Sequence, residues 1–387
     1  MPGFELIGEE ERKALNELFD DGGVLFAHGF DNIRNNRYRV REFEKQYASY
    51  LGVKYAQAVS SGTAALKIAL RALGVKQGDE VITQAFTFIA VAEAIIDLGA
   101  KPIFINIDET LNMDPNALEK EITKKTKAII TVNMLGVAVD QDKIFEIAKK
   151  NNIPVLDDSC ESFGAEWNND KLGTLFDITA WSFDAGKTII AGEGGMITTN
   201  DKELFKMCRE IHDHGHMYDR NLPRGRDTHR TYGFNYRMTE MQAAVLSAQL
   251  KKIDYIVDQN RKNYNFLKDQ LSGINQIEFR KIPINCKPLC DTLIFRLENI
   301  DQTNSLLNEL NLNGIGTKNV PDAIEWHFAI YWDHMLDHIG LSINELKENL
   351  NVSNKILKTS IALPVMIKDT EISLSKKAKV IKNFFNK

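Results

Sequence analysis

Between about residue 55 and residue 200, short apolar runs of strand length alternate with amphipathic runs of helix length, and this rhythm constrains the fold more than any other feature. Parallel strands need a crossover of a dozen or more residues between them, usually a helix, so the alternation predicts an α/β domain with a mainly parallel sheet. The apolar runs predict strands at Tyr55 to Ser60, Glu80 to Thr83, Pro102 to Asn106, Lys127 to Val132, Pro154 to Asp157, Trp181 to Phe183 and Met196 to Thr199. Helices are predicted from Ala64 to Leu73, stopped by Gly74, and from Thr87 to Leu98, ended by Gly99. Two more, Pro115 to Ile122 and Asp140 to Asn151, supply crossovers. The pattern turns helical again around Asp201, and Thr239 to Asn265 reads as one long helix leading out of the domain.

A chain of 387 residues exceeds what one core usually holds, roughly 250 to 300 residues. The expected division is a large domain over residues 1–255 and a smaller C-terminal α+β domain over 256–387, where the signal breaks into shorter strands and helices. A net charge of -5 argues against nucleic acid as a partner. No apolar run reaches the roughly 18 residues of a membrane span, and the opening residues have neither a basic flank nor an apolar signal core, so a cytoplasmic protein away from membranes is expected. Cys160, Cys208, Cys286 and Cys290 are too scattered for a disulfide framework. Cys286 and Cys290 lack a second pair of ligands, and His212, His214 and His216 would share a face only on a strand; no metal site is assigned.

Ligands of such sheets bind at the carboxyl ends of the strands, and the chemically interesting residues cluster there. Ser60-Ser61-Gly62-Thr63 turns a strand into a helix, which exposes backbone N–H groups and the positive end of the helix dipole. Two readings fit: an anion cradle suited to a phosphate, or a plain Ser/Thr helix cap. Asp157 and Asp158 follow the apolar strand Ile153-Pro154-Val155-Leu156, and a carboxylate at that depth needs a cationic or hydrogen-bonding partner. A protonated pyridine nitrogen is one such partner; a helix cap with a surface acid is the alternative. Phe88 is either a stacking platform for a flat ring or a core aromatic, and Ser182 ends its own strand five residues before Lys187. A lysine in a loop is usually a solvated charge, but Lys187 stands just before Ala191-Gly192-Glu193-Gly194-Gly195, where it can form a Schiff base with an aldehyde. Phosphate cradle, stacking ring, carboxylate and lysine, in this order, are explained together by pyridoxal 5'-phosphate (PLP).

The set resembles the DegT/DnrJ/StrS family of sugar aminotransferases, which have PLP fold type I, the aspartate-aminotransferase fold. The motifs that carry the resemblance are Ser-Gly-Thr-Ala-Ala-Leu at 61 to 66, Thr87-Phe88, Asp158, Glu193-Gly194-Gly195 after Lys187, and Asn235-Tyr236-Arg237-Met238-Thr239-Glu240 with Gln242-Ala243-Ala244. The resemblance implies that Gly62 and Thr63 hold the phosphate, Phe88 stacks on the pyridine, Asp158 pairs its nitrogen, Ser182 contacts the phosphate and Lys187 is the catalytic lysine. It implies further that Asn235 reaches the phosphate of the neighbouring subunit, so that the active unit is a homodimer. Glu161 departs from the pattern, which has glutamine or histidine beside the cofactor's 3-hydroxyl. Its neighbourhood is similar to that of deoxysugar dehydratases that use pyridoxamine phosphate, in which a histidine replaces the lysine; Lys187 points back to amino transfer.

The opening Met-Pro-Gly-Phe-Glu-Leu, Asp213-His214-Gly215-His216, Arg224-Gly225 and Trp326-His327 resemble the branch containing 8-amino-3,8-dideoxy-manno-octulosonate transaminase. That branch implies glutamate as amino donor and an 8-keto 3-deoxy-octulosonate as acceptor, in lipopolysaccharide synthesis. A nucleotide-linked 4-keto or 3-keto deoxysugar is the alternative. Arg220, Arg224, Arg226, Arg230 and Arg237 crowd one stretch, either as forks for an anionic substrate or as an exposed basic loop. His214, Arg237 and His327 are the expected substrate contacts. The expected mechanism frees Lys187, with a pKa lowered by its surroundings, to carry the proton during ping-pong transfer.

Overall fold

The computed structural model describes residues 2–219 and 221–386, which leaves Arg220 of the arginine-rich stretch outside the described residues. Seven strands form one sheet: β1 Tyr55–Val59, β2 Glu80–Gln84, β3 Lys101–Ile105, β4 Thr126–Val132, β5 Val155–Asp158, β6 Ile178–Ser182 and β7 Gly195–Thr199. Their order is β1-β7-β6-β5-β4-β2-β3. The pairs β2–β3, β2–β4, β4–β5 and β5–β6 are parallel, and only β7 runs against its neighbours, β1 and β6. This is the mainly parallel α/β sheet that the alternation predicts, with β6 beginning earlier than its apolar run, at Ile178. Its strands are buried on both faces, which is why they read as continuous apolar runs.

The helix Gly62–Ala72 begins where Ser61 Oγ accepts the Ala64 N–H at 3.1 Å, and it packs Ala64, Ala65, Ile68 and Ala69 against the sheet. The predicted helix from Thr87 starts later and covers only Ala90–Asp97. The reason is tertiary: the N–H groups of Thr87 and Ile89 donate to the carbonyls of His327 and Trp326 at 2.9 and 3.0 Å, so residues 87–89 pair with the C-terminal half instead. The long helix expected from Thr239 to Asn265 is two, Glu240–Leu250 and Ile253–Leu271. At the break, Lys252 Nζ donates to the Leu6 carbonyl at 2.8 Å and to Glu11 at 2.7 Å. Helix Arg39–Leu51, absent from the reading of the sequence, starts on the Glu240 carboxylate, which accepts the Arg39 N–H at 2.6 Å, and buries Phe43 and Tyr47.

Towards the C-terminus a small antiparallel sheet, β8 Glu278–Phe279, β9 Thr292–Arg296 and β10 Ser360–Pro364, lies in the order β8-β9-β10. Helices Ile300–Leu312 and Glu371–Phe385 enclose its core with Leu293, Phe295, Leu306, Leu310, Ile361 and Leu374. Between these elements the chain returns to the large sheet, where Val320, Phe328, Ala329 and Trp332 join the same apolar core as Phe86 and Phe104. That return carries Lys318, Asn319 and His327 over the carboxyl ends of the strands. Among the described residues no helix is long and apolar enough to cross a membrane.

Candidate active site

A cavity of about 430 Å³ opens at the carboxyl ends of β1, β5 and β6 and is lined by Gly62, Thr63, Phe88, Asp158, Glu161, Ser182, Lys187 and His327, all read from the sequence as site residues. A larger groove of about 740 Å³ passes Lys149, Asp177 and Asp201 at the opposite ends of the strands and contains none of the candidate groups. We take the smaller cavity as the site because the titratable groups converge there.

Strand geometry explains which aspartate matters. Successive side chains of β5 point to opposite faces. Asp157 is turned into a closed network, accepting from Thr131 and Asn133 at 2.8 Å and from Ser159 at 3.0 Å, and burial lifts its pKa to about 6. Asp158 lines the cavity, where it accepts the Cys160 N–H at 3.0 Å, and burial raises its pKa too. A carboxylate so placed calls for a cation. The Asp157 network also shapes the next wall, because Asn133 bonds Ser159 Oγ and the Val139 N–H at 2.9 Å. In that loop Leu135 takes a left-handed φ of 50° and donates its N–H to Glu161 at 3.1 Å.

Lys187 Nζ lies 3.5 Å from Glu161 Oε1, with only 17% and 14% of the two side chains exposed. Burial opposes the charge on Glu161, but Lys187, His327, Lys318 and the Leu135 N–H together hold its carboxyl down to about 2. For Lys187 burial acts to lower the pKa, yet the negative charge of Glu161, reinforced by Cys160 and Asp158, raises it. The expectation of a lowered lysine pKa is therefore corrected: Glu161 and the other acidic neighbours together outweigh burial. Asn319 also donates to Glu161, at 3.4 Å. Lys318 is bound to Asp291 at 2.7 Å, and His327 Nδ1 faces the Ala323 carbonyl at 2.7 Å, which places hydrogen on Nδ1 of the neutral ring. Burial lowers the His327 pKa. Its ring centroid is 5.3 Å from that of Phe88, whose side is 44% exposed.

The loop that carries the lysine is fixed from several sides. Ser182 Oγ accepts the Asp184 N–H at 3.3 Å, Lys187 donates its N–H to Asp184 O at 3.0 Å, and the Ala191 N–H returns to Phe183 O at 3.0 Å. From outside, the Gly3 N–H donates to Lys187 O at 3.2 Å. A methyl group at Gly62 would lie 2.8 Å from Ser182 Cβ, so glycine keeps the helix end close to Ser182.

Not every expected residue joins the cavity. Arg237 and Arg224 pair with one oxygen of the fully buried Asp213 at 2.6 and 2.5 Å, while Tyr218 and His28 approach the other oxygen at 2.5 and 3.3 Å. His212, His214 and His216 share no strand: His212 is buried at a helix end, and His214 is exposed with a φ of 54°. Asn235 is exposed and sits beside Asp213, away from the cavity of its own chain. Conversely, Lys318, Asn319 and the Leu135 N–H join the site without being among the residues that the sequence points to. Nothing in their local sequence marks them, since they arrive through the fold of distant segments.

The donor set fits PLP. Helix-end N–H groups and Ser182 suit a phosphate, Phe88 offers a flat face, Asp158 needs a cation and Lys187 offers an amine. The model of the DegT/DnrJ/EryC1/StrS aminotransferase family matches residues 27–382. The chain belongs to that family. GDP-perosamine synthase of Escherichia coli O157:H7 is 40% identical over 269 residues, 69% of this chain and 70% of the relative. UDP-2-acetamido-2-deoxy-3-oxo-D-glucuronate aminotransferase of Pseudomonas aeruginosa is 42% identical over 225 residues, 57% of this chain and 61% of the relative, so less than two thirds of that protein is spanned. The solved aminotransferase from Psychrobacter cryohalolentis superposes with a TM-score of 0.87 at 27% identity, covering 98% of this chain and 97% of the other. As a member of the family, the protein is a PLP-dependent sugar aminotransferase of fold type I that acts on keto sugars.

Proposed function

We propose that the enzyme takes its amino group from glutamate and gives it to an anionic keto sugar, 8-oxo-3-deoxy-manno-octulosonate, in the synthesis of a surface glycan. Two of the four branch-like segments support this acceptor: His327 lines the cavity, and the opening residues pack on the lysine loop through Gly3. Lys318 adds a cation for a carboxylate on the same wall, and the unprotonated Nε2 of His327 adds an acceptor for a sugar hydroxyl. A second reading, a nucleotide-linked keto deoxysugar, is supported by the names of the relatives, which include a GDP-perosamine synthase. The lysine beside Glu161 argues against the dehydratase alternative, in which a histidine stands in its place.

When bound, PLP supplies an electron sink for the carbanion left when an amino acid loses its α-proton. In the proposed arrangement Gly62, Thr63 and Ser182, with Asn235 of the partner subunit, hold the phosphate. Phe88 covers one ring face, and Asp158 keeps a proton on the pyridine nitrogen. Lys187 Nζ takes the proton from the α-carbon of the donor and later returns one to the carbon that receives nitrogen. Glu161 fixes the charge next to that amine. The same reading treats residues 1–255 as the cofactor-binding unit and 256–387 as a smaller unit that sends Lys318, Asn319 and His327 back into the cleft.

Incubation with nitrogen-15 glutamate and either the keto-octulosonate or a nucleotide-linked keto deoxysugar, followed by mass spectrometry, tests the choice. Label in the octulosonate supports the first reading. Label confined to the nucleotide sugar overturns it in favour of the second.

A further inference from the structure

We infer that residues 3–6 form a strap that sets the position of Lys187, and that Gly3 and Glu5 are positioning residues of the reaction. This rests on the reading of Lys187 as the catalytic lysine. Three observations converge. The Gly3 N–H donates to Lys187 O at 3.2 Å, and Gly3 has no room for a side chain: a methyl group there would lie 2.8 Å from Thr188 O, 2.9 Å from Ile190 Cγ2 and 3.0 Å from Lys187 O. Two of those three contacts are backbone, so the lysine loop itself would have to shift.

The strap is also held from the other end of the chain. The Glu5 carboxylate accepts the N–H groups of Ile367 and Lys368 at 3.0 and 2.8 Å, just beyond β10. Strand β10 in turn accepts the Lys318 N–H at Ala362 O, 2.9 Å, and Lys318 lines the cavity. The two walls that meet at Glu161, one carrying Lys187 and the other Lys318 and Asn319, are thus joined a second time behind the site. The strap itself is anchored where Lys252 Nζ grips Leu6 O and the Glu11 carboxylate, which also accepts the Gly8 N–H at 2.7 Å.

A proton carrier must be held close to its working geometry, and a misplacement of about 1 Å costs on the order of 100-fold in rate. A strap that only added packing would change stability and leave the chemistry of the surviving enzyme intact. A positioning strap changes the chemistry.

The test uses the PLP-loaded full-length enzyme with the substitutions Gly3→Ala and Glu5→Gln. Borohydride reduction of the unaltered enzyme comes first. If PLP is not fixed on Lys187, the reading beneath this one fails and takes the strap with it. With that established, three quantities are measured for each variant: kcat and KM for glutamate, the pH midpoint of the bound cofactor's visible absorbance, and the melting temperature. The expected result is a fall in kcat of roughly 10- to 100-fold with KM little changed, accompanied by a displaced absorbance midpoint. If Gly3→Ala does not fold, Glu5→Gln, which removes only one carboxylate acceptor, is judged by the same measurements. Variants that melt earlier but keep kcat and the absorbance midpoint would overturn the proposal while leaving Lys187 as the reacting lysine.

Discussion

A carboxylate and an ammonium that face each other inside a cavity set each other's affinity for protons. Glu161 keeps the charge on Lys187, so the amine needed for proton transfer appears only as the pH rises. Glu161→Gln removes that restraint, and the rise in the rate of the glutamate half-reaction with pH is expected to move to lower pH; an unmoved profile would show that the pair does not control the amine. The same carboxyl gives a stability prediction. Its pKa falls from 4.5 to about 2 on folding, so its contribution is complete above pH 4.5 and is lost as the pH drops through 2. Urea midpoints of Glu161→Gln should therefore vary less across that window than those of the unaltered chain. Lys187→Ala is expected to lower kcat by about 10²- to 10⁴-fold, the usual loss for a general acid–base, and to abolish fixation of PLP by borohydride. At this scale the sequence was informative where the chemistry is local. Asp158 and Lys187 end or follow strands, and strand ends show in apolar runs. The influence of Glu161 on Lys187 was not legible, because it depends on a distance across the fold.

The element that organises the cavity is the end of the helix Gly62–Ala72, pinned between β6 and β7. A methyl group at Gly195, the first residue of β7, would lie 2.3 Å from the Ser61 carbonyl, so strand and cradle touch through glycine. Gly195→Ala is expected to cost about 1–3 kcal/mol by overpacking, measured by urea unfolding, and to weaken PLP binding in equilibrium dialysis. A variant with unchanged stability and affinity would show that the contact relaxes freely. Helix starts were legible where a side chain caps them, as Ser61 does. They were not where backbone N–H groups are claimed by a distant segment, as at Thr87 and Ile89, or where a long apolar pattern hides a turn, as at Lys251-Lys252.

For the molecule as a whole, exposed aromatic and aliphatic side chains are numerous, among them Phe4, Phe26, Phe30, Phe234 and Trp326. A partner subunit that covered some of them would remove apolar surface from water. Sedimentation is expected to report a dimer, and the placement of Asn235 outside its own chain's cavity gives a sharper test. Mixing Lys187→Ala with Asn235→Ala chains and allowing exchange should restore activity, since each hybrid then has one site with both residues intact. Failure of the hybrid would mean that Asn235 does not act across subunits. The α/β core was legible from the sequence because its rhythm repeats, whereas the C-terminal return that delivers Lys318, Asn319 and His327 was not, its segments being short and irregular. The pairing of β1 with β7 has a consequence for biosynthesis. As the polypeptide leaves the ribosome, Tyr55–Val59 emerges about 140 residues ahead of Gly195–Thr199, the strand that must lie beside it. Throughout that stretch of translation Tyr55–Val59 lacks the strand it will pair with, and its unpaired N–H and C=O groups are open to a wrong neighbour.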